Sequence, residues 1–516
     1  MAESRTPTQM LEHLARTIKK EYKTAFWAAF IIGLLVHMPV LLSDIPNHDG
    51  LGSMYFDQNM ITSGRWFLTV ACGLSSYFTI PWVIGLLGLL YLSLAAAALV
   101  AVLELKDRVS IVLVSGLLVS FPALASTFAY VFTLDGYMLG LLLAVLSVLC
   151  TKRRSNGFWL GAVCLAFSMG IYQAYLPFAV LLCIYEIAVI FMEHGKTGDK
   201  ILEALRYLYM GVAGMALYYV ILRILLLVQG KELASYQGID GMAGGFRLSS
   251  IAQMYRDFVS FSFKGNVIFN NFYSAFACAA LALLVIWTIF RLCLQRKWWK
   301  NLGFFVIIAL LVLALPLATN IILLISPNVT YHLLMRYQWV LYLILMVAFA
   351  DRYQAGAKAG CMLRWGVTLA AAVLVFNYAV TDNIGYSNLH KRYEKTYAYC
   401  ARLLDRIEQT EGYYQGIPIA MVGVVGYNPY PVTDITLPVT SNMIGLNGDT
   451  LLYTGENYQV FIQNYLGATL NVMSPEEMEE IYFSEEYIQM ESFPAKSSVK
   501  VVDGIMYVKT ENVGRD

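Results

Sequence analysis

The chain has 516 residues, of which 58% are apolar and only 14% are charged, and its formal net charge is +1. That share of apolar residues exceeds what a single soluble core can bury, so the composition excludes a soluble globular protein and indicates a membrane protein. The near-zero net charge gives no indication of a nucleic-acid partner.

Hydrophobic segments of membrane length recur along the first two thirds of the chain. A helix needs about 20 mainly apolar residues to cross a bilayer, because its backbone polar groups must be paired internally. The candidate segments lie near residues 25–43, 80–103, 110–128, 136–151, 157–173, 175–192, 207–228, 272–291, 302–325, 331–350 and 364–380. We therefore predict about eleven transmembrane helices in a domain spanning residues 25–380. The connections at 126–135 and 169–174 are short and could hide re-entrant segments.

Basic residues concentrate in alternate connections, as in the run Lys152, Arg153, Arg154. The positive-inside rule then places the N-terminal segment, residues 1–24, in the cytoplasm and the loop at 44–80 outside. An odd number of spans puts the C-terminal region outside as well. Because the first apolar segment is long and lacks a small-residue cleavage signature, we expect it to remain as an anchor.

Residues 381–516 differ from the rest, with 18 Asp and Glu against 9 Lys and Arg. A helix near residues 387–410 precedes a buried strand at 417–425. Ser474, Pro475 and Glu477 form a capping box, and Asp503-Gly504 separates two short apolar runs, which predicts a β-hairpin. The pattern indicates a small extracytoplasmic α/β domain that supports the membrane domain or contacts an acceptor. It contains no phosphate-binding glycine motif and no metal-ligand spacing.

The loop after the first span carries the polar residues of greatest interest for function. It contains Asp44, His48 and Asp49, and Pro46 and Gly50 break the helix so that the chain can turn close to the membrane surface. A carboxylate in that place is accessible to a lipid-borne substrate and to a water-borne one. A structural interpretation is also open: Asp44 ends the first helix and Asp49 is solvated.

The same loop continues into Ser63-Gly64-Arg65-Trp66, and aromatic-rich helices follow. With an acidic first outer loop, about ten further spans and a soluble tail, the whole chain resembles the GT-C glycosyltransferases. Residues 40–90 are most similar to the bacterial serotype-converting glucosyltransferases, the type II Gtr family. The resemblance implies a bacterial plasma-membrane enzyme that moves a sugar, with glucose expected, from a polyprenyl-phosphate carrier to a cell-surface glycan such as O antigen. It implies no cofactor and no metal, since the lipid-linked sugar is a co-substrate.

The resemblance also implies a general base in the first loop. One acid would remove the proton from the acceptor hydroxyl as that oxygen attacks the anomeric carbon with inversion. We favour Asp49, because neighbouring glycines give it more freedom to approach a substrate. Asp44 is the alternative base, or a residue that orients the acceptor. Many GT-C enzymes carry adjacent acids, whereas these two are five positions apart, so the assignment stays open.

A departing polyprenyl phosphate needs cationic hydrogen-bond donors near the outer membrane surface. The expected substrate-binding residues are Arg65, His48, Trp66, Arg336, Tyr337, Arg256 and Lys264. For Arg336, Tyr337 and Lys264 the alternative is an ordinary interfacial belt of aromatic and basic side chains. The long outer loop at 229–271 carries a glycine-rich stretch before an amphipathic segment at 249–263, which suits either a substrate gate or a plain surface loop.

Two other classes of function remain as alternatives, a transporter or flippase of lipid-linked sugars and a non-catalytic membrane scaffold. Ion-coupled carriers place charged groups near the bilayer midplane and show repeated halves with broken helices. Glu186 and Arg223 lie inside predicted spans, Arg336 lies at the mouth of the span at 331–350, and the sequence has no internal repeat. These observations favour the enzyme.

Overall fold

The computed structural model of the protein describes residues 6–53, 59–73, 78–193, 195–234, 248–298, 301–326, 328–353, 357–421, 437–447, 452 and 455–510. The chain divides into two compact units. The first comprises Met1–Ser43 and Asp57–Asn383, and the second comprises Asp44–Phe56 and Ile384–Asp516. The first polar loop is therefore divided: residues 44–56 belong to the same unit as the C-terminal region, and the rest of the loop belongs to the first unit.

Helices make up most of the described chain. In chain order as far as the C-terminal region they are α1 (Pro7–Thr17), α2 (Lys20–Leu41), α3 (His48–Ser53), α4 (Leu68–Ala71), α5 (Pro81–Leu103), α6 (Arg108–Ser120), α7 (Pro122–Phe128), α8 (Leu134–Arg153), α9 (Gly157–Ile171), α10 (Leu176–Met192), α11 (Thr197–Gln229), α12 (Leu248–Lys264), α13 (Phe272–Arg296), α14 (Leu302–Thr319), α15 (Ile322–Ile325), α16 (Val340–Arg352) and α17 (Ala357–Glu408). Short 3₁₀ turns at Ile61–Ser63, Val131–Thr133, Gln173–Tyr175 and Leu333–Trp339 interrupt or extend them.

Nine helices within the described residues are long and apolar enough to cross a membrane. A tenth crossing results if α6 and α7, which are bent by 51° relative to each other, form one span. Helix α9 has only 15 residues, fewer than the about 20 that a crossing usually needs. The described residues thus contain nine or ten candidate crossings, where the sequence predicted about eleven, because the segment predicted at 157–173 forms the shorter helix α9. They support the prediction of a polytopic helical membrane protein.

Helices α12 and α17 can be compared directly with the helices that the sequence predicted. Helix α12 occupies the long loop where the amphipathic pattern predicted a helix. Helix α17 is continuous, whereas the sequence predicted a span and a separate second helix. No proline separates the two segments. At Gly385, α17 packs closely against the segment that contains Leu446, since a Cβ added there would lie 2.9 Å from the Leu446 side chain.

The second unit contains a four-stranded sheet in the order β2, β1, β4, β3. Its strands are β1 (Pro418–Met421), β2 (Asn471–Val472), β3 (Val499–Val502) and β4 (Ile505–Val508), and its remaining helices are α18 (Leu437–Thr440), α19 (Gly455–Phe461), α20 (Pro475–Tyr482) and α21 (Glu485–Ile488). Strand β1 is parallel to β2 and β4, and β3 and β4 form the predicted hairpin. Asp503 and Gly504 both have positive φ, as a two-residue hairpin turn requires.

Alternate residues of β1 face two different layers, as the period of a strand dictates. Ile419 belongs to a cluster that includes residues of α17 and α19, and Ala420 belongs to a second cluster that includes Met478 and Tyr487. The predicted capping box of Ser474 is present at the start of α20. Residues 422–425 of the predicted strand lie outside the described residues.

Candidate functional site

In the second unit, the first polar loop folds into a short helix against the core. Asn47 is fully buried, and its Oδ1 accepts a hydrogen bond from the Gly50 backbone N–H at 2.7 Å, which caps the start of α3. Leu51 is 1% exposed and belongs to the same buried cluster as Tyr399 and Phe461. The loop that carries the candidate bases is therefore anchored by its own apolar and capping residues.

Both candidate bases have exposed side chains in this unit. Asp49 lies in the first turn of α3. Asp44 precedes that helix, and its backbone carbonyl accepts a hydrogen bond from the Tyr465 hydroxyl at 3.4 Å. The side chain of His48 lies outside the described residues, as does most of the stretch that follows α3. Both carboxylates are therefore accessible to solvent in this unit.

In the first unit, hydrogen bonds to its backbone fix the Arg65 motif (residues 63–66) in the helical bundle. The side-chain Nε2 of Gln173 donates to the Ser63 carbonyl at 3.0 Å, and the Tyr218 hydroxyl donates to the Gly64 carbonyl at 3.0 Å. Gln173 also donates to the Tyr218 hydroxyl at 3.0 Å. Gly64 adopts a left-handed conformation with φ of 74°, which glycine tolerates without strain. Hydrogen bonds to the carbonyl groups of the two residues before Arg65 thus fix the backbone of the motif.

Trp66 fills the space behind this motif. Its ring is buried and contacts Phe167 at a centroid distance of 5.2 Å and Tyr218 at 6.4 Å. Gly170 lies so close that an added Cβ would be 2.6 Å from Trp66 Cε2. Trp66 therefore serves as the packing anchor that sets the place of its neighbour Arg65.

The Arg65 guanidinium lies among aromatic side chains at the start of α8. Its Cζ is 4.9 Å from the centroid of the Tyr172 ring, and its Nη1 donates to the Tyr137 hydroxyl at 3.3 Å. The rings of Tyr137 and Tyr172 stack at 4.6 Å. Asp135, buried two residues before Tyr137, accepts a hydrogen bond from the Gly136 N–H at 2.9 Å. The cluster presents a half-buried, oriented cation with planar donors, which suits a phosphate ligand.

Arg336, the second candidate cation, is bound to an acid that sequence reasoning did not identify. Its Nη1 and Nη2 donate to the two oxygens of Asp257 at 2.6 and 2.8 Å, and its Nε donates to the Tyr331 carbonyl at 3.1 Å. The guanidinium also lies 3.7 Å from the centroid of the Tyr331 ring. The one signal in the sequence was the place of Asp257 on an amphipathic helix, which does not identify a partner 79 residues away.

Tyr337 connects the two arginine clusters of the first unit. Its hydroxyl donates to the Leu118 carbonyl, where α6 ends, and its ring stacks on Phe178 at 5.7 Å. The rings of Tyr172 and Tyr175 meet edge to face at 5.7 Å, and the turn that carries Tyr175 contacts the segment that carries Tyr337. A row of buried tyrosines thus runs from the Tyr172 side of Arg65 to the segment that holds Arg336.

Arg256 and Lys264 both lie on α12 with exposed side chains. Arg256 directly precedes Asp257, whose carboxylate is paired with Arg336. Lys264 lies about two turns further along the same helix.

Asp382 on α17 is a further polar residue that sequence reasoning missed. Its side chain is fully buried, and neither carboxylate oxygen has a hydrogen-bond partner within the described part of the chain. Burial of a carboxylate without a partner is unfavourable, and such groups concentrate at functional sites. The available signal was an acidic residue immediately after the predicted span at 364–380.

Glu186, the acid that lies inside a span, has a structural partner. Its Oε2 is 2.9 Å from Lys152 Nζ, which also lies 3.5 Å from Glu104. Arg352 pairs with Glu104 at 3.0 Å. This network links the ends of several helices, so Glu186 is accounted for as part of an ion-pair network. Among the described residues, no group of three or more His, Cys, Asp or Glu side chains is placed to hold a metal ion.

The first unit is an apolar helical bundle that holds two arginine residues packed against tyrosine rings, and its helices define a polytopic membrane protein. The second unit carries the exposed acids of the short loop. Residues 38–350, more than half of the chain, match the family described as Glucosyl transferase GtrII. The chain belongs to that family, which confirms the resemblance to the type II Gtr enzymes. Membership implies a glycosyltransferase, and hence a sugar donor and a glycan acceptor. Neither a curated protein nor a solved structure matches the chain.

Proposed function

We propose that the protein transfers a hexose, most simply glucose, from a polyprenyl-phosphate carrier to a cell-surface glycan on the outer face of the bacterial plasma membrane. The family supplies the reaction class, since the matched residues include the first loop and both arginine clusters. The helical first unit suits a donor whose carrier is a lipid. The expected topology, with the N-terminus in the cytoplasm, places the first loop on the side where the glycan is found.

In the proposed reaction, Asp49 acts as the general base and Asp44 is the alternative. The carboxylate removes the proton of an acceptor hydroxyl while that oxygen forms a bond to the anomeric carbon. The bond from that carbon to the phosphate oxygen breaks on the opposite side, so the configuration inverts and polyprenyl phosphate departs. The carboxyl group then returns its proton to water. A positioned base contributes about 10² to 10⁴ in rate.

Arg65 is the proposed partner of the departing phosphate. Negative charge grows on the phosphate oxygens as the bond breaks, and an oriented guanidinium stabilises it more than a mobile cation would. Arg256 and Lys264 supply further positive charge from α12. Arg336 has both terminal nitrogens on Asp257, so we assign it and Tyr337 to holding the site together. The proposal uses no metal ion and no cofactor, because the lipid-linked sugar is itself the activated donor.

The observation that carries the proposal is the Arg65 cluster, where a motif within the family-matched residues is fixed by Gln173 and Tyr218 and orients a cation over Tyr172. The ion pair of Glu186 with Lys152 gives no support to an ion-coupled transporter.

The experiment is a comparison of cell-surface polysaccharide from cells with and without the gene, measured by mass spectrometry and linkage analysis. We expect one hexose per repeat unit to be lost on deletion and restored by the intact gene. The purified full-length protein in vesicles is expected to catalyse the same transfer from polyprenyl-phosphate hexose. Unchanged polysaccharide, or movement of intact lipid-linked hexose across vesicles without glycan modification, would overturn the proposal and favour a flippase.

A further inference from the structure

Four aromatic side chains meet beside the first loop within the second unit. Tyr393 lies on α17, Phe461 ends α19, and Tyr465 lies in the π-helical turn at Ile462–Leu466. The Tyr393 ring is 5.3 Å from that of Tyr465 and 5.8 Å from that of Phe461, and Tyr397 lies 6.5 Å from Tyr393. We call Tyr393, Tyr397 and Tyr465 the tyrosine platform, with Phe461 beneath it.

The platform is only partly covered by the rest of the unit. Phe461 is fully buried and belongs to the core, whereas Tyr397 is 43% exposed and Tyr393 and Tyr465 are half-buried. A tyrosine that serves the core alone is normally covered by its neighbours. Tyr393 and Tyr465 both contact the buried Phe461 ring, and Tyr397 extends the group from Tyr393. Because part of each tyrosine ring stays accessible, the group can offer aromatic faces to an apolar surface of a ligand.

A candidate base borders this platform. The Tyr465 hydroxyl donates to the Asp44 carbonyl at 3.4 Å, and the Asp44 carboxylate interacts electrostatically with Tyr393. Leu51 anchors the same loop in the core that contains Phe461. Aromatic faces and a carboxylate therefore lie side by side on one unit, with the loop position fixed by the residues that carry the rings.

We propose that the tyrosine platform is the subsite that binds the acceptor glycan. The apolar C–H face of a pyranose ring is attracted to the electron-rich face of an aromatic ring, and its hydroxyls are hydrogen-bond donors to a carboxylate. This inference rests on the proposed glycosyl transfer. It assigns acceptor recognition to Tyr393, Tyr397 and Tyr465, and it gives Asp44 the role of orienting an acceptor hydroxyl.

Two further observations favour a glycan over a lipid surface as the occupant. The Asp44 carboxylate borders the rings, and it accepts hydrogen bonds from sugar hydroxyls but repels anionic lipid headgroups. The family match ends at residue 350, so all three tyrosines lie beyond it. That placement is expected if the matched region handles the donor and the remainder recognises an acceptor particular to this protein.

The test uses full-length protein in vesicles with polyprenyl-phosphate hexose as donor and, as acceptor, polysaccharide released from cells that lack the gene. The variants are Tyr393→Ala and Tyr465→Ala, singly and together, and Tyr465→Phe, which keeps the ring. Tyr414→Ala is the matched control, because Tyr414 is 56% exposed on the same unit and makes none of the platform's ring contacts. Thermal unfolding reports whether each variant is folded.

Loss of an aromatic contact worth about 0.5 to 1.5 kcal/mol corresponds to about 2- to 13-fold in affinity. We expect each alanine variant to raise the KM for acceptor by about that factor, and the double variant by about tenfold or more, with the donor KM unchanged. Tyr465→Phe should raise the acceptor KM less than Tyr465→Ala, and Tyr414→Ala should leave it unchanged.

Folded alanine variants with an unchanged acceptor KM would overturn the inference. A second contrary result would be a change in the thermal stability of the variants that depends on lipid composition while the acceptor KM stays unchanged. That result would identify the tyrosines as part of an interfacial belt. Saturation-transfer NMR with the same polysaccharide separates the two proposals. If the wild type binds the polysaccharide and the double variant does not, the platform is supported even if the wild type transfers no hexose. If the wild type transfers hexose and the tyrosine variants do so equally well, the platform is rejected but the proposed function is not.

Discussion

Arg336 and Asp257 form a two-point ion pair that joins α12 to the 3₁₀ segment before α16, with nitrogen–oxygen distances of 2.6 and 2.8 Å. Such geometry combines charge attraction with two aligned hydrogen bonds. An arginine that is paired in this way has a structural role. The ion pair explains why the amphipathic helix of the long loop packs against the bundle.

Removal of the acid should leave Arg336 buried without its partner. We expect Asp257→Ala to lower the free energy of unfolding by about 3 kcal/mol, measured by thermal unfolding of the full-length protein in detergent. Arg256→Ala, at the exposed neighbouring position, is the control and should change stability little. An Asp257→Ala variant as stable as the wild type would show that the pair does not hold α12.

The contact of Gly170 with Trp66 gives a second prediction. An added methyl group would lie 2.6 Å from the Trp66 ring, and overpacking of this kind destabilises by about 1 to 3 kcal/mol. Gly170→Ala should therefore lower the unfolding temperature and also the transfer rate, because Arg65 follows Trp66. Gly211→Ala, where no atom lies within 4 Å of the added Cβ, should be neutral or slightly stabilising. Equal behaviour of the two variants would contradict the packing argument.

Arg65 tests the assignment of the phosphate partner. A lysine keeps the charge but loses the planar donors that engage Tyr137 and lie over Tyr172. We expect Arg65→Lys to lower kcat/KM for the donor by about 10²-fold, in the range seen when one stabilising donor is removed. Arg108→Lys, at an exposed arginine outside the site, should not change it. Wild-type kinetics in Arg65→Lys would remove Arg65 from the reaction.

Substitution of Asp382 by a neutral residue is expected to maintain or raise stability and to lower activity. Its buried carboxylate has no hydrogen-bond partner within the described residues, so a neutral isostere relieves an unfavourable burial. Asp382→Asn should unfold at the same or a higher temperature than the wild type and should transfer hexose more slowly. Reduced stability with unchanged transfer would instead identify Asp382 as a structural residue with a partner of its own.

Local features of the fold could be predicted from the sequence because their causes lie within a few residues. The capping box of Ser474 and the hairpin turn at Asp503 and Gly504 follow from side-chain chemistry at fixed spacing. The membrane-spanning helices could be predicted for the same reason, because each is a local run of apolar residues. The bend between α6 and α7 and the short length of α9 were less accessible, since hydropathy does not report helix direction.

Relations between distant segments could not be predicted in this way. Nothing near Leu51 indicates that it packs in a core built from residues after 384, and nothing near Arg336 indicates Asp257. The candidate acids were found from their loop, but the tyrosines beside Asp44 were not, because they are more than 300 positions away in the sequence.

The most direct measurement of the central claim is the turnover of Asp49→Asn and Asp44→Asn in transfer from polyprenyl-phosphate hexose to the polysaccharide acceptor. If a carboxylate of the first loop is the base, Asp49→Asn should lower kcat by about 10²-fold or more while the protein keeps its fold and its donor KM. Asp44→Asn should act mainly on the acceptor KM. Wild-type kcat in both variants would contradict the account.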